Sequence, residues 1–256
     1  MLYIDTNWAD VFNQNQLTTF EDFWKLQLPI VDDANHGRGG YSKVSRYVVT
    51  LPNGMQEAIY IKRQEDYTCS SWRHPFSGIP TFEREFINWQ RFKKAQLSTY
   101  DLLYFAKRKQ GGHQQAILVS RELPAIDLTT YLADTKHQSG SNAQFKQRKA
   151  LVYSVADLLR RMHSAGLQHG HLTPKHVFIG GLPDQIQSYL IDLEIAREVR
   201  WGQRRIMIND LARFSRHLKG SSTTERMRFF KSYLNIGRLC PKSKRLWRIL
   251  AKHAPR

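Results

Sequence analysis

The alternation of apolar and polar positions divides the chain into a strand-rich first part and a helix-rich second part. From Val44 to Leu51 the residues are β-branched and aromatic, a Pro52-Asn53-Gly54 turn follows, and Ala58-Ile59-Tyr60-Ile61-Lys62 alternates between faces. That order predicts a β-hairpin, because successive strand side chains point to opposite faces and Asn-Gly suits a tight turn. Beyond Pro80, Phe82, Phe86 and Trp89 recur at i, i+4 and i+7, the spacing of one helix face. Gln115 to Ser120 reads as a short strand behind a Gly111-Gly112 turn. In the second part Val155, Leu158, Leu159 and Met162 mark the buried stripe of a helix that stops at Gly166. Two short β runs, Val177–Ile179 and Tyr189–Ile191, are separated by Gly180-Gly181 and Pro183-Asp184. From Asp210 onward, Leu211, Phe214 and Leu218 take helical spacing again. The division falls near Glu122-Leu123-Pro124, so a single domain of 256 residues with lobes of about 1–122 and 123–256 is expected.

Composition narrows the class. With 41% hydrophobic and 12% aromatic residues the chain has enough material for a packed core and is not a disordered polymer. Cys69 and Cys240 are too few for a disulfide framework, which points to a reducing, cytoplasmic setting. The stretch from Met1 to Asp10 lacks the basic-then-apolar pattern of a signal peptide. Apolar runs such as Ala116–Val119 fall far short of the ~20 residues that span a bilayer.

Four groups of residues carry candidate chemistry. Gly37-Arg38-Gly39-Gly40-Tyr41-Ser42-Lys43-Val44 fits G-x-G-x-x-S-x-V before a strand, where glycines let backbone N–H groups approach phosphates. An ordinary hairpin turn has the same signature. Lys62 ends the alternating strand, and the helix that follows offers Glu83 and Glu85 as partners. Gly-rich loop, hairpin, lysine and helix glutamate is the order of a protein kinase's small lobe. His169-Gly170-His171-Leu172-Thr173-Pro174-Lys175-His176 aligns on H-R-D-L-x-x-x-N; it keeps His169 and Leu172 and puts His171 at the catalytic aspartate and His176 at the metal-binding asparagine. His163, His169, His171 and His176 also raise a zinc site, although no Cys or carboxylate stands beside them in sequence. Ile191-Asp192-Leu193-Glu194 stands where a kinase has D-F-G, so Asp192 would bind Mg²⁺; the alternative for such an aspartate is a turn or a helix cap. Glu194 in place of glycine implies a loop that does not flip.

With these residues in order, the sequence resembles the lipopolysaccharide kinase family of Gram-negative bacteria, which includes Kdo, heptose and InaA-type members. The likeness runs from about Gly37 to Leu218 and rests on local strings. They include Tyr60-Ile61-Lys62-Arg63-Gln64, Trp72-Arg73-His74-Pro75, Arg84-Glu85-Phe86, Pro174-Lys175-His176-Val177-Phe178 and Asp210-Leu211-Ala212-Arg213-Phe214. The resemblance implies an α+β, bilobal protein-kinase-like fold and ATP-dependent phosphorylation of a sugar hydroxyl in the lipopolysaccharide inner core. It implies that Gly37, Gly39, Gly40 and Ser42 cover the ATP phosphates, that Lys62 held by Glu85 aligns them, and that Asp192 with His176 binds Mg²⁺. It further implies that His171 takes the place of the catalytic base and that Asp210 supports the catalytic-loop backbone. Asp210 could equally be an N-cap, since it opens the apolar stripe. A neutral imidazole at 171 can accept a proton but brings no fixed negative charge. A catalytically impaired pseudokinase, serving as a nucleotide-binding regulator or scaffold, is therefore the alternative reading.

Charge adds a partner. The formal net charge is +17, and residues 197–256 carry 17 Lys and Arg against 3 Asp and Glu, leaving only +3 before them. Trp201, Phe229, Phe230, Tyr233 and Trp247 interleave this segment, as in a nucleic-acid surface. No nucleic-acid motif accompanies them, so specific nucleic acid is not expected and the aromatics are assigned to the core. Arg197, Arg200, Arg204 and Arg205 follow the Asp192 loop, and Lys242, Lys244, Arg245, Arg248 and Lys252 recur at helix-like intervals. These groups are expected to hold the chain peripherally on the anionic inner face of the inner membrane and on its phosphorylated lipid A acceptor.

Overall fold

In the computed structural model residues 2–37, 39–71, 74–134, 142–181 and 185–253 are described, without the side chains of 32–35, 71 and 74–77. Trp72, Arg73 and the expected Pro183-Asp184 turn lie outside the described residues. One unit comprises Met1–Ile87 and Tyr100–Leu123; a second comprises Asn88–Thr99 and Pro124–Arg256. Residues 88–99, assigned from sequence to the first lobe, thus belong with the second unit.

The first unit runs β1 (Leu2–Ile4), α1 (Ala9–Gln14), α2 (Phe20–Lys25), β2 (Ile30–Gly37), β3 (Gly40–Thr50), β4 (Gln56–Glu65), β5 (Thr68–Ser71), β6 (His74–Pro80), the start of α3 (Thr81–Lys94, which belongs to the second unit from Asn88 on), β7 (Leu102–Gln110) and β8 (His113–Arg121). Six strands form one sheet in the order β1-β7-β8-β4-β3-β2, with antiparallel neighbours. The expected hairpin is β3–β4, with Val44 opposite Lys62. Its turn closes through the N–H of Gly54, which donates to Leu51 O at 2.8 Å while Gly54 takes φ +80°.

Being central, β4 must satisfy two faces. On one, Ile59 and Ile61 are fully buried in a cluster with Trp8, Phe12, Phe23 and Tyr104 from the α1–α2 side. Arg63 shares that face and is only 2% exposed. Its Nη1 donates to the backbone oxygens of Trp24 at 2.9 Å and Leu26 at 2.7 Å. These are carbonyls left over at the end of α2, where a cation also suits the helix dipole. Helix α2 starts with a reciprocal cap: Thr19 N–H donates to Asp22 Oδ2 at 2.7 Å, and Asp22 N–H to Thr19 Oγ1 at 3.2 Å.

The second unit runs β9 (Ala125–Asp127), α4 (Leu128–Asp134), α5 (Asn142–Ser164), β10 (Leu167–Gln168), a 3₁₀ turn (Pro174–His176), β11 (Val177–Gly180), β12 (Gln187–Leu190), β13 (Arg197–Glu198), α6 (Gln203–His217), α7 (Thr223–Tyr233) and α8 (Pro241–Ala251). The predicted stripe of α5 is buried, and Gly166 ends the turn after it at φ +71°. Arg148 on α5 forks onto Glu225 of α7, Nε to Oε1 at 2.6 Å and Nη2 to Oε2 at 3.1 Å. Strands β12, β11 and β9 form a small sheet.

Three expectations change. Strand β12 ends at Leu190, and the N–H of Ile191 extends its register by one residue by donating to His176 O at 3.1 Å. Helix α6 begins at Gln203, so Asp210 lies inside it and is not an N-cap. Its second turn holds the half-buried Ile206, Met207 and Ile208, and Met207 continues the spacing of Leu211, Phe214 and Leu218, so the apolar stripe starts before Asp210. Finally, Phe230 and Tyr233 are buried and Trp247 packs against Phe230 at 5.3 Å, but Trp201 is 88% exposed. No helix among the described residues is long and apolar enough to cross a membrane.

The Arg63 arrangement yields a stability prediction. Arg63→Met keeps the volume and strands the α2 carbonyls, so it should lower unfolding stability by about 2–4 kcal/mol. A urea midpoint unchanged from wild type would contradict this account of α2.

Candidate active site

In the first unit Gly37 pairs with Gly40 in the β2–β3 ladder and Ser42 follows in β3, while Arg38 of the glycine-rich stretch lies outside the described residues. The two last glycines serve different needs. A Cβ on Gly40 would collide with the backbone oxygen of Glu65, so Gly40 is a packing glycine. Gly39 has φ +85° and open space where its Cβ would be, leaving its backbone approachable from outside.

The other face of β4 carries Lys62. Its Nζ donates to Glu85 Oε1 at 2.8 Å, and the hydroxyl of Tyr100 donates to the same oxygen at 2.8 Å. Glu85 is 1% exposed. Glu83, the competing candidate, pairs with Lys107 at 2.6 Å. The geometry follows from Gln64, two residues beyond Lys62 on the same face. Its Oε1 accepts from Thr81 Oγ1 at 2.9 Å and from the N–H of Phe82 at 3.0 Å, while its Nε2 donates to Tyr67 O at 2.8 Å. A buried amide thereby caps the start of α3 on β4, and Glu85 falls one turn later, level with Lys62.

In the second unit Asp210 organises the loop after β10. Its Oδ2 accepts the N–H of His169 at 2.8 Å and its Oδ1 the N–H of Gly170 at 3.1 Å. His163 Nε2 lies 3.3 Å from Oδ2, and its Nδ1 meets Tyr233 Oη at 2.8 Å. Burial alone would raise the Asp210 carboxyl, but His163 and the backbone N–H of His169 outweigh it and hold the group below its ordinary value. Burial, then the nearby Asp210 charge, pushes the Tyr233 hydroxyl up. His169 is fully buried and its Nε2 donates to Ile191 O at 2.9 Å, tying the loop to the residue before Asp192. Gly170, where the kinase pattern has arginine, takes φ +79°, and a Cβ there would come within 2.9 Å of Ile195 O. Backbone packing accounts for that departure.

His171 projects into solvent from this loop. Partial burial first, then the neighbouring His176 and Arg213, hold its imidazole below the usual histidine range. The His176 ring lies parallel to His169 at 5.7 Å and edge-on to His171 at 5.2 Å. Its Nδ1 donates to the backbone oxygen of His171 at 2.7 Å, and its Nε2 lies 3.4 Å from Asp192 Oδ2. Asp192 itself takes φ +59°, a left-handed conformation that costs a non-glycine residue roughly 1–3 kcal/mol. Such strain clusters at working sites. The histidines singled out as a zinc set do separate things, and among the described residues no three metal-ligating side chains converge. Asp192 and His176 do fit a divalent cation as one carboxylate and one imidazole donor, with the remaining positions open to oxygens from outside the chain.

Two positioning residues escaped the sequence reading. Asn88, 1% exposed on α3, donates its amide to Leu193 O at 2.9 Å and to Ala196 O at 2.6 Å, holding the segment that follows Asp192. Gln64 sat inside a quoted string without a role. Both amides are buried and so need partners, but no local pattern in the sequence marks which amides are buried.

The model of the lipopolysaccharide kinase (Kdo/WaaP) family matches residues 21–233. Protein InaA of Escherichia coli (strain K12) is 26% identical over 179 residues, 70% of this chain and 78% of that protein. A solved structure of WaaP in complex with acyl carrier protein superposes with a TM-score of 0.68, covering 99% of this chain and 96% of that one at 19% identity. That likeness shows the bilobal, kinase-like α+β fold. The chain is a member of the lipopolysaccharide kinase (Kdo/WaaP) family.

Proposed function

We propose that this chain transfers the γ-phosphoryl group of ATP to a sugar hydroxyl of the lipopolysaccharide inner core. The observation that carries the reading is the Lys62–Glu85 pair, 2.8 Å apart with the carboxylate buried. A lysine held this way presents a fixed positive charge for phosphate oxygens and cannot wander to solvent. Gly39, with Gly37 and Ser42 beside it, offers backbone N–H groups to the same phosphates. Asp192 and His176 hold a divalent cation, whose charge offsets that of the phosphates. His171 stands at the base position, where a ring kept unprotonated can take the hydroxyl proton. Asp210, His169 and Asn88 act on these groups from behind by fixing the backbone that carries them.

Acceptor and membrane belong to the same reading. Trp201, almost wholly exposed, stands among Arg200, Arg204 and Arg205. An amphipathic ring between cations suits a headgroup region. Helix α8 buries Leu246 and Leu250, so the face left to solvent is its lysines and arginines and can contribute only charge, about 1 kcal/mol each near an anionic surface. The working place is therefore the cytoplasmic face of the inner membrane.

His171 favours a second reading, a pseudokinase that binds nucleotide without transfer, because imidazole lacks the standing charge of aspartate.

Three outcomes test these assignments. With ATP, a divalent cation and deep-rough lipopolysaccharide, the wild type should add phosphate detectable by mass spectrometry, and Lys62→Met and Asp192→Ala should each cut the rate by at least about 100-fold. Nucleotide binding without any transfer would select the pseudokinase. His171→Ala should lower kcat by about 10²–10⁴ with little change in the KM for ATP, the mark of a lost base. In flotation with phosphatidylglycerol vesicles, Trp201→Ser and neutralisation of Lys242, Lys244, Arg245, Arg248 and Lys252 should each weaken binding. Unchanged binding in both would leave the basic segment as a solvated surface.

A further inference from the structure

The His176–Asp192 pair says more about the cation than that one can bind. The backbone oxygen of His171 only accepts hydrogen bonds, so the 2.7 Å contact requires the proton of His176 to sit on Nδ1. In the neutral ring Nε2 is then a bare lone pair, and it lies 3.4 Å from a carboxylate oxygen. Two acceptors at that separation repel unless a positive centre is shared between them. A charge-assisted N–H···O bond would close to about 2.7–2.9 Å. Two donors each about 2.1 Å from a common ion, set 90–110° apart, lie about 3.0–3.4 Å from one another. The separation matches shared ligation better than an ion pair.

The surroundings have the same character. A metal-ligating histidine almost always donates its other N–H to a carbonyl or carboxylate, which fixes the tautomer and aims the lone pair. His176 does this toward His171 O, within the same 3₁₀ turn and loop, while His169 covers one face of its ring. Ile191 N–H bonded to His176 O at 3.1 Å locks the backbone of the two donors together. Both donors therefore arrive oriented.

From this we propose that the cation site is a mixed nitrogen–oxygen site, His176 Nε2 with the Asp192 carboxylate, that takes a first-row transition cation in preference to Mg²⁺. This rests on the nucleotide-dependent phosphotransfer proposed above and deepens it. Mg²⁺ is small, dehydrates reluctantly and demands oxygen ligands, whereas every cation of the Mn²⁺-to-Zn²⁺ series accepts imidazole. With phosphates and waters making up the rest of the set, Mn²⁺, the hardest of that series, suits it best.

Pulsed EPR on Mn²⁺ added with a non-hydrolysable ATP analogue tests the site directly. The wild type should show a nitrogen hyperfine coupling that changes when histidine alone is labelled with ¹⁵N and disappears in His176→Asn, an oxygen donor of similar reach. In competition, the Mg²⁺ concentration that displaces half of the Mn²⁺ should be at least about tenfold higher for the wild type than for His176→Asn. Bound Mn²⁺ without histidine coupling, or equal displacement in the two proteins, overturns the nitrogen site while leaving the kinase reading standing. If the analogue does not bind at all in calorimetry with either cation, the kinase reading fails and this inference falls with it.

Discussion

Strand β4 has to satisfy a hydrophobic cluster on one side and a charged constellation on the other, and the two-residue period of a strand achieves this with neighbouring side chains. Lys62 and Gln64 point one way, Ile61 and Arg63 the other. Gln64 accepts from the Thr81 hydroxyl and the N–H of Phe82 at the start of α3, and the carboxylate that neutralises Lys62 follows from that helix start. Arg63 captures the last carbonyls of α2, which carries Phe23 into the core. A one-residue slip in the β3–β4 register would exchange these roles, putting a lysine into the apolar cluster and an isoleucine toward Glu85. Pairing on both edges, with β3 and β8, excludes the slip.

The second unit uses a buried carboxylate where the first uses a buried amide. Asp210 gathers two backbone N–H groups and His163, so its charge is compensated from three directions. The consequence is a loop whose histidines have assigned hydrogen-bond roles. His169 donates through Nε2 to Ile191, and His176 donates through Nδ1 to His171. Neighbouring rings are thereby set in opposite tautomers, one facing inward as a strut and one presenting a lone pair beside Asp192. The same residue type takes different roles because the backbone decides which nitrogen is free.

Much of this was legible in the sequence because the physical signals are local. Strand alternation around Lys62, the Phe82-Phe86-Trp89 stripe and the α5 stripe each need only neighbouring residues, and each element is where the periodicity puts it. Helices α1 and α2, of six residues each, carry too few turns to show a stripe and were not legible. Met207 extends the stripe of Leu211, Phe214 and Leu218 by one turn ahead of Asp210, so Asp210 looks terminal only when the stripe is started at Leu211.

The sequence by itself determined the order of the glycine turn, Lys62, the histidine loop and Asp192, and the basic bias of the last sixty residues, since these depend on which residues occur and how far apart, while the family was visible as a resemblance of local strings. Tertiary structure made the pairings, two of which, Glu85 with Lys62 and Asp210 with the histidine loop, the resemblance had implied. Glu85 rather than Glu83 meets Lys62, Asp210 supports a loop forty residues upstream, Asn88 holds the chain beyond Asp192, and Trp201 stays in solvent while Phe230 and Tyr233 are buried. Each of these is a choice between chemically similar groups. Hydrogen-bond reach and burial settle such choices, and both are properties of distance in space, which a linear sequence does not contain.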